Sequence, residues 1–309
     1  MQQTRERFPL VCTDKLFNDF VEYSTVQMRN NDLDPEYLVL GHFTQGASLE
    51  NAVWATILHV SYCHIISLLL ALQRFPEPAP LDDWALKLPI FVDRRNLRGG
   101  KLGQHINHWL EVKHAYGGLV PYLTDQFGDS PTDNWLSLRQ KLLAIWGNGR
   151  WAVYKTAEIL WRINGFAVYP TDMDNSNSSG PRKGLAFFYG PVAGNTPAVI
   201  AHLDAQAEDL LARLQAEGID IEIDELETML CEFHSMAEGR YYPGHDIDLL
   251  QEQMLAAQLP AETMHELWAF RRKTFDTPYL GEYMGWSGVD KARNRFYRER
   301  GVVPLRGVH

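Results

Sequence analysis

The sequence predicts an all-α protein with two helical lobes. Apolar residues recur at helical spacing through most of the 309 residues, and runs that alternate with a period of two are scarce. Only 88–92 and 184–190 resemble strands, which allows at most a small hairpin. A chain of this length is long enough for two packed lobes, expected at 1–132 and 133–309 with the active site between them.

The helices follow from apolar periodicity and from residues that start or stop a helix. The predicted helices cover 14–29, 48–74, 102–115, 134–145, 151–163, 202–217, 224–237, 246–257, 261–273 and 288–299. Ser48 is a good N-cap, and Gly218 is a typical stop after the helix that precedes it. The polar, turn-rich stretch 170–184 is predicted to be a long functional loop.

Composition limits the classes of protein to which the chain could belong. The formal net charge of −10 argues against simple electrostatic wrapping of nucleic acid. The basic stretches 93–101 and 291–300 could still bind an anion locally. No apolar run approaches the roughly 20 residues of a membrane span, and residues 1–10 lack the apolar centre of a signal peptide. Three unclustered cysteines fit free thiols, so a cytoplasmic location is expected.

Two glycines, Gly147 and Gly149, stand one residue apart at the start of a mostly apolar helix. Glycine permits a tight turn there and leaves backbone amides bare at a helix N-terminus, where phosphate binds well. We expect the bare amides of Gly147, Gly149 and Arg150 to bind a phosphate group. The alternative is an ordinary turn between two packed helices, with the stripe of Lys155, Glu158 and Arg162 as its solvent face.

The helix at 224–237 brings reactive side chains onto one flank. Glu227, Cys231, His234 and Glu238 lie within about 60° of each other on a helical wheel. A cysteine beside a histidine can be held as the nucleophilic thiolate, and a carboxylate can act as a general base. The alternative is a small structural cysteine beside a solvated edge. No metal site is expected, because zinc needs three or four close ligands and no second cysteine is near.

Other side chains are candidates for binding a phosphate or a base. Arginine pairs bind phosphate bidentately, and aromatic rings stack on bases. The candidates are Arg94, Arg95, Lys155, Arg182, Arg240, Tyr241 and Tyr242. Solvated basic loops and an ordinary aromatic turn remain the alternatives.

The order of helix, G-x-G turn, helix and Asp-bearing loop resembles the helix–hairpin–helix of DNA glycosylases. In those enzymes the hairpin amides hold the DNA backbone and an aspartate follows the second helix. Asp172 stands in that place here, with Asp174 as its competitor. The resemblance therefore implies that Gly147, Gly149 and Arg150 contact the DNA backbone. Trp151 occupies the position of the Schiff-base lysine of the strand-cleaving members, so lyase chemistry is not expected.

Four segments together resemble one more specific family. They are "DRRNLRGGKLGQHI", "WGNGRWAVYKTAEIL", "NSSGPRKGL" and "LETMLCEFHSMAEGRYYPGHDID". They are similar to the bacteriophage amino acid:DNA transferases, also called α-glutamyl/putrescinyl thymine pyrophosphorylases, over about residues 48–300. The resemblance implies that an amino acid or polyamine replaces the phosphate or pyrophosphate on phosphorylated 5-hydroxymethyluracil in double-stranded DNA. It implies no metal and no organic cofactor, and it places the protein in the cytoplasm of an infected bacterium.

The implied reaction assigns roles to the candidates. The base must leave the stack to be reached. Cys231 would add at ring carbon 6, arginines would neutralise the leaving phosphate, and Asp172 or Glu227 would deprotonate the incoming amine. Direct loss of phosphate without a protein nucleophile is the alternative route. A monofunctional DNA glycosylase that uses Asp172 and a non-catalytic DNA-binding protein are the alternative functions.

Overall fold

The described part of the chain is entirely helical, which confirms the predicted fold class. The computed structural model describes residues 14–88, 95, 97–256 and 259–275, and within them it contains thirteen α-helices and no strand. The helices are α1 (Asp14–Arg29), α2 (Pro35–Phe43), α3 (Leu49–Tyr62), α4 (Ile65–Leu72), α5 (Gly99–Tyr116), α6 (Leu119–Thr124), α7 (Pro131–Ala144), α8 (Arg150–Arg162), α9 (Ser179–Tyr189), α10 (Pro197–Ala216), α11 (Ile223–Ala237), α12 (His245–Ala256) and α13 (Ala261–Thr274). None of these helices is long and apolar enough to cross a membrane.

Most predicted helices are confirmed, and local signals fix their ends. Helix α1 has the predicted bounds, and the Ser48 hydroxyl accepts the Asn51 amide 3.2 Å away at the start of α3. The single helix predicted at 48–74 is wrong, because Cys63 adopts a left-handed conformation with φ of 48° and ends α3. His64 then caps α4 by accepting the Ser67 amide at 3.0 Å.

The strand predicted at 184–190 is wrong, because these residues lie in α9. The apolar residues of α9 pack against two neighbouring helices, since Leu185 and Phe188 are buried in the same core as residues of α10 and α11. A helix that packs on two sides loses the clean amphipathic period that sequence analysis detects. Helix α9 also takes the last part of the loop predicted at 170–184. Most of the other strand, 88–92, and the whole helix predicted at 288–299 lie outside the described residues.

Contacts divide the chain into two compact units, each made of separate stretches. The described residues of unit one fall within Met1–Asp34, Asp172–Leu249 and Arg272–His309, and those of unit two within Pro35–Thr171 and Leu250–Arg271. These bounds differ from the predicted lobes 1–132 and 133–309. The placement of an active site between lobes stays a prediction.

Unit one is built around α1, α9, α10 and α11, whose apolar residues form one core cluster that includes Phe20, Phe188 and Phe233. The Phe20 and Phe233 rings meet edge-on with centroids 4.8 Å apart. Unit two has a second apolar interior, in which Trp54, Trp109 and Trp135 are almost fully buried. Both interiors are large enough to fix the helices that carry the candidate site residues.

The carboxyl group of Glu232 is buried in unit one. Glu232 accepts hydrogen bonds from the Tyr23 hydroxyl at 2.8 Å and from the Gln27 amide at 2.7 Å. Burial raises the pKa of Glu232 well above its usual value, and the charges of Asp246, Asp32 and Asp34 raise it further. Burial therefore disfavours the charged form of this carboxyl, and its hydrogen bonds with Tyr23 and Gln27 join α11 to α1.

Two buried histidines of unit two make the stability of the folded protein depend on pH. Burial lowers the pKa of His64 to about 4. The pKa of His59 is also about 4, and it is lowered by burial and by the neighbouring His64. The unfolded chain titrates near pH 6.5, so it binds more protons than the folded protein between pH 6.5 and 4. The free energy of unfolding is therefore highest above pH 6.5 with respect to these two groups, and it falls as the pH decreases towards 4.

We therefore expect His64→Asn to flatten the pH profile of stability. Asparagine keeps the N-cap of α4 but does not titrate, so the variant should recover on the order of 3 kcal/mol of the stability that wild type loses at pH 4 relative to pH 7. Denaturant unfolding measured between pH 4 and 7 checks this. Parallel profiles for the two proteins would contradict it.

Candidate active site

The G-x-G turn joins α7 to α8 in unit two. Gly147 has a φ of 92°, which favours glycine, whereas Gly149 has an ordinary φ of −84° and forms the N-cap of α8 without any side-chain cap. A side-chain carbon on Gly147 would lie 2.9 Å from the Nδ1 atom of His105, whereas one on Gly149 would meet nothing within 4 Å. Gly147 is therefore required by the turn itself, and Gly149 leaves open space at the start of a helix.

Two histidine side chains of α5 form hydrogen bonds with the backbone of this turn. His105 Nδ1 lies 2.6 Å from the Trp146 carbonyl oxygen, and the Trp146 amide donates to His108 Nδ1 at 2.7 Å. The Trp109 indole donates to the other ring nitrogen of His105 at 3.1 Å. His105 is thus a neutral imidazole that donates from Nδ1, in agreement with burial lowering its pKa. The turn is fixed before any ligand arrives.

A cavity of about 140 Å³ opens beside this turn. Its lining combines the turn residues Gly147, Asn148 and Gly149 with aromatic, apolar and hydroxyl side chains. Arg95 also lines it, with its guanidinium carbon 5.0 Å from the centre of the Trp151 ring. Arg94, the other predicted arginine of this stretch, lies outside the described residues.

Lys155 faces a buried acid and not solvent. Its Nζ lies 2.9 Å from Glu158, whose side chain is 2% exposed, and it stands 5.6 Å from the centre of the Tyr37 ring. The Tyr37 hydroxyl donates to the same carboxylate at 2.9 Å. The interpretation of this stripe as a solvent face is therefore wrong at Glu158. The predicted role of Lys155 in phosphate binding stays a prediction.

In unit one, the carboxylates of two aspartates accept hydrogen bonds within the loop before α9. The Asp172 carboxylate accepts the Asp174 amide at 2.7 Å, and the Asp174 carboxylate accepts from Ser176 and Asn177. Asp174 has a positive φ of 51° and is buried, whereas Asp172 is partly exposed. Of the two competing aspartates, Asp172 is the one with access to solvent.

Arg182 joins the loops on either side of α9. Its guanidinium donates to the Gly194 carbonyl at 2.8 Å, the Val192 carbonyl at 3.1 Å, the Asn195 side chain at 3.2 Å and the Asn175 carbonyl at 3.4 Å. These contacts occupy its donors with protein oxygens. Its predicted role in binding phosphate is not tested by these contacts and stays a prediction.

The first turn of α9 lies directly against the reactive flank of α11. The Ser178 hydroxyl donates to Glu227 at 3.2 Å, and a side-chain carbon on Gly180 would lie 2.5 Å from the Cys231 sulfur. A pocket of about 370 Å³ beside this turn is lined by Ser176–Ser179, Arg182 and Lys183, together with apolar residues such as Pro191 and Val192. The fold thus brings Glu227 and Cys231 together with the start of a helix and a lysine.

His234, one helical turn beyond Cys231, lies 3.3 Å from Glu238. Burial lowers the pKa of His234, the Glu238 charge raises it, and Lys183 and Arg240 lower it. The net lowering leaves a neutral imidazole near pH 7, which is the form that accepts a proton. Arg240 is exposed and pairs with Glu238, so the predicted phosphate ligand has a carboxylate partner.

The two predicted stacking rings are buried. Tyr241 and Tyr242 belong to the core cluster of unit one, with exposures of 6% and 0%. The Tyr242 hydroxyl donates to Asp248 at 2.8 Å, and burial raises the pKa of Tyr241 well above its usual value. Both rings are positioned here as core residues, and stacking on a base stays a prediction.

Comparison with known proteins bears on the segment that contains these features. Residues 93–242 match the family model described as amino acid:DNA transferase. Just under half of the chain is therefore similar to the amino acid:DNA transferases, and we call this part the transferase segment. This match confirms the family indicated by the sequence motifs, and the family description supports a transferase that acts on DNA. No curated protein and no solved structure matches the chain.

The transferase segment contains candidate residues of both units. It begins before Arg95 and ends at Tyr242, so it includes the glycine turn, the aspartate loop, α9 and α11. The helix–hairpin–helix likeness of the glycine turn stays a prediction. Among the described residues, no group of three histidine, cysteine or carboxylate side chains is placed to hold a metal ion.

Sequence reasoning missed several residues of the transferase segment. Ser178, which bonds Glu227, and Lys183 were read only as part of a polar stretch. Gly180 and Gly184 stand four residues apart, so they share the face of α9 that packs closely on α11. His105 and His108 carry no such signal, because their role depends on a backbone group about forty residues away in the chain.

Proposed function

We propose that the protein transfers an amine onto the 5-methylene of phosphorylated 5-hydroxymethyluracil in DNA and releases the phosphate or pyrophosphate. The observation that supports this proposal is that a cysteine, a carboxylate and the start of a helix lie together within the transferase segment. Cys231 and Glu227 lie on α11 against the first turn of α9, beside a pocket that contains Lys183. Each of these groups has a task in the reaction.

The first task is to make the leaving group depart. The Cys231 thiolate adds to ring carbon 6, and the electron pair moves to the ring as an enolate. The enolate then expels the phosphate from the methylene with its bonding electrons, which leaves an exocyclic C5=CH2 group. Lys183 and the N-terminus of α9 stabilise the departing anion. His234 in its neutral form accepts the thiol proton.

The second task is to complete the substitution. A carboxylate, Glu227 or Asp172, first takes a proton from the incoming ammonium group. The freed amine nitrogen then adds to the exocyclic methylene and restores the enolate. The enolate re-forms the C5=C6 double bond and expels the Cys231 thiolate. The net change replaces a carbon–oxygen bond with a carbon–nitrogen bond, so no oxidant, reductant or metal is required.

The function is tested by incubating the full chain with a duplex that contains phosphorylated 5-hydroxymethyluracil and with a mixture of amino acids and polyamines. Mass analysis of the digested nucleosides should show an amine-bearing thymidine, with phosphate or pyrophosphate in solution. Release of free base would instead establish a glycosylase. Tight DNA binding with unchanged nucleosides would identify a binding protein and contradict the proposal.

The covalent step gives a separate prediction. Cys231→Ser should keep DNA affinity and lose at least about a hundredfold of turnover, because a hydroxyl is far harder to ionise than a thiol. Cys63→Ser is the matched control, since Cys63 is the other free cysteine among the described residues and lies in unit two. A protein–DNA adduct should form in wild type and in Cys63→Ser only. Full activity of Cys231→Ser would contradict a covalent role of Cys231 in the reaction.

A further inference from the structure

We infer that Trp146 and the surface depression beside it on α5 hold an unpaired base of the DNA substrate, with adenine preferred. This inference rests on the proposed function, because it takes DNA as the substrate and adds a contact to it. It concerns unit two alone, in which Trp146 and α5 both lie. Both also belong to the transferase segment.

Trp146 is an exposed aromatic residue on a fixed backbone. It is 40% exposed, whereas the preceding Ile145 is 1% exposed. Hydrogen bonds with His105 and His108 fix both its carbonyl and its amide group. Because the backbone is already in place, the indole loses little entropy when it stacks on a planar ligand.

The indole borders an open depression of about 560 Å³, a size within the range of pockets that bind small molecules. Gln104, Asn107 and Glu111 also line it, and all three are exposed. Their spacing of three and four residues places them on one face of α5. Proteins bind single bases with this combination, in which an aromatic ring stacks on the base and polar side chains bind its edge.

The polar side chains of the depression favour a base over a phosphate. The Glu111 carboxylate repels the DNA backbone but accepts a hydrogen bond from the amino group of adenine or cytosine. Gln104 and Asn107 end in amides, which donate and accept at once and so match the N7 and N6 positions of adenine. Thymine has no amino group to offer Glu111, so adenine is expected to bind more tightly.

The proposed reaction produces such a base. The uracil derivative pairs with adenine, and its departure from the stack leaves that adenine unpaired. A site that holds the adenine opposes renewed pairing and lengthens the time for which the uracil derivative is accessible. The aromatic stacking energy thereby offsets part of the cost of opening the base pair.

The test is binding of the full chain to three unmodified duplexes, with a bulged adenine, with a bulged thymine and without a bulge, measured by fluorescence anisotropy. Wild type should bind the adenine bulge most tightly. Trp146→Ala should weaken that binding roughly 5- to 150-fold, the range for stacking on one aromatic ring, and should leave its salt dependence unchanged. Trp146→Phe should keep most of the affinity. Trp84→Ala is the matched control, since Trp84 is 39% exposed in unit two but lies outside the depression.

Three outcomes would overturn the inference. The first is that wild type binds the adenine bulge no more tightly than the other two duplexes. The second is that Trp146→Ala binds the adenine bulge as tightly as wild type does. The third is that Trp146→Ala weakens binding to the fully paired duplex by the same factor, which would show that the ring contacts paired DNA. The expected binding without any amine transfer would support the inference and refute the proposed function, so the two failures are distinguishable.

Discussion

Replacing Gly184 with alanine is expected to lower the free energy of unfolding by about 3 kcal/mol. The added carbon would lie 2.5 Å from the Leu230 carbonyl oxygen, 2.7 Å from its Cβ and 2.9 Å from its carbonyl carbon. Two of these three atoms are backbone atoms of α11, so no side-chain rotation can relieve the overlap. Helix α9 would have to move away from α11, which would disturb the core that both helices share.

Gly100→Ala is the matched control for this variant. Gly100 lies in α5, where an added carbon meets nothing within 4 Å. The substitution should leave stability unchanged or raise it by roughly 0.5–1 kcal/mol, because alanine loses less conformational entropy in a helix. Denaturant midpoints of the two variants and wild type decide the matter. Equal midpoints for Gly184→Ala and wild type would show that α9 and α11 do not pack this closely.

The second large effect concerns catalysis. Glu227→Gln should reduce turnover of amine transfer by roughly 10² to 10⁴ while DNA affinity and stability hold. Glutamine has the shape of glutamate and can still accept the Ser178 hydroxyl, so the contact between α11 and the first turn of α9 survives. What the variant loses is a group able to take the surplus proton of the attacking amine.

Glu238→Gln controls for loss of a carboxylate on the same flank of the helix. Glu238 is exposed and pairs with His234 and Arg240, so its substitution should change turnover only slightly. Single-turnover rates on phosphorylated 5-hydroxymethyluracil DNA compare the two variants. If Glu227→Gln keeps the wild-type rate, the proton goes elsewhere, and Asp172→Asn becomes the next variant to measure.

Much of the fold could be predicted because most helices carry their own signals. Helix α1 repeats apolar residues on one face, and Ser48 marks the start of α3 by its own side chain. The break at Cys63 could not be predicted, because a left-handed cysteine is set by the packing of its surroundings. Helix α9 was missed for a related reason, since its glycines look like loop residues until α11 is packed against them.

The candidate site was predicted in part. Grouping Glu227 and Cys231 needed only the helical period, and the structure places both against the same turn of α9. The surroundings of Arg182 and Tyr242 depend on residues distant in the chain, so a sequence pattern shows that they are polar or aromatic but not that they are engaged. Tertiary partners decide whether such a side chain is available to a ligand.

The order of stretches in unit one has a consequence for synthesis on the ribosome. Helix α1 ends at Arg29 and α9 begins at Ser179, so 149 residues lie between them. At elongation rates of roughly 5–20 residues per second, about 8–30 s pass between the synthesis of α1 and that of α9. During that interval Phe17, Phe20 and Tyr23 have no core to enter. We therefore expect nascent chains to depend on a chaperone that binds unfolded segments. The yield of folded protein should rise when translation is faster or when more of this chaperone is present.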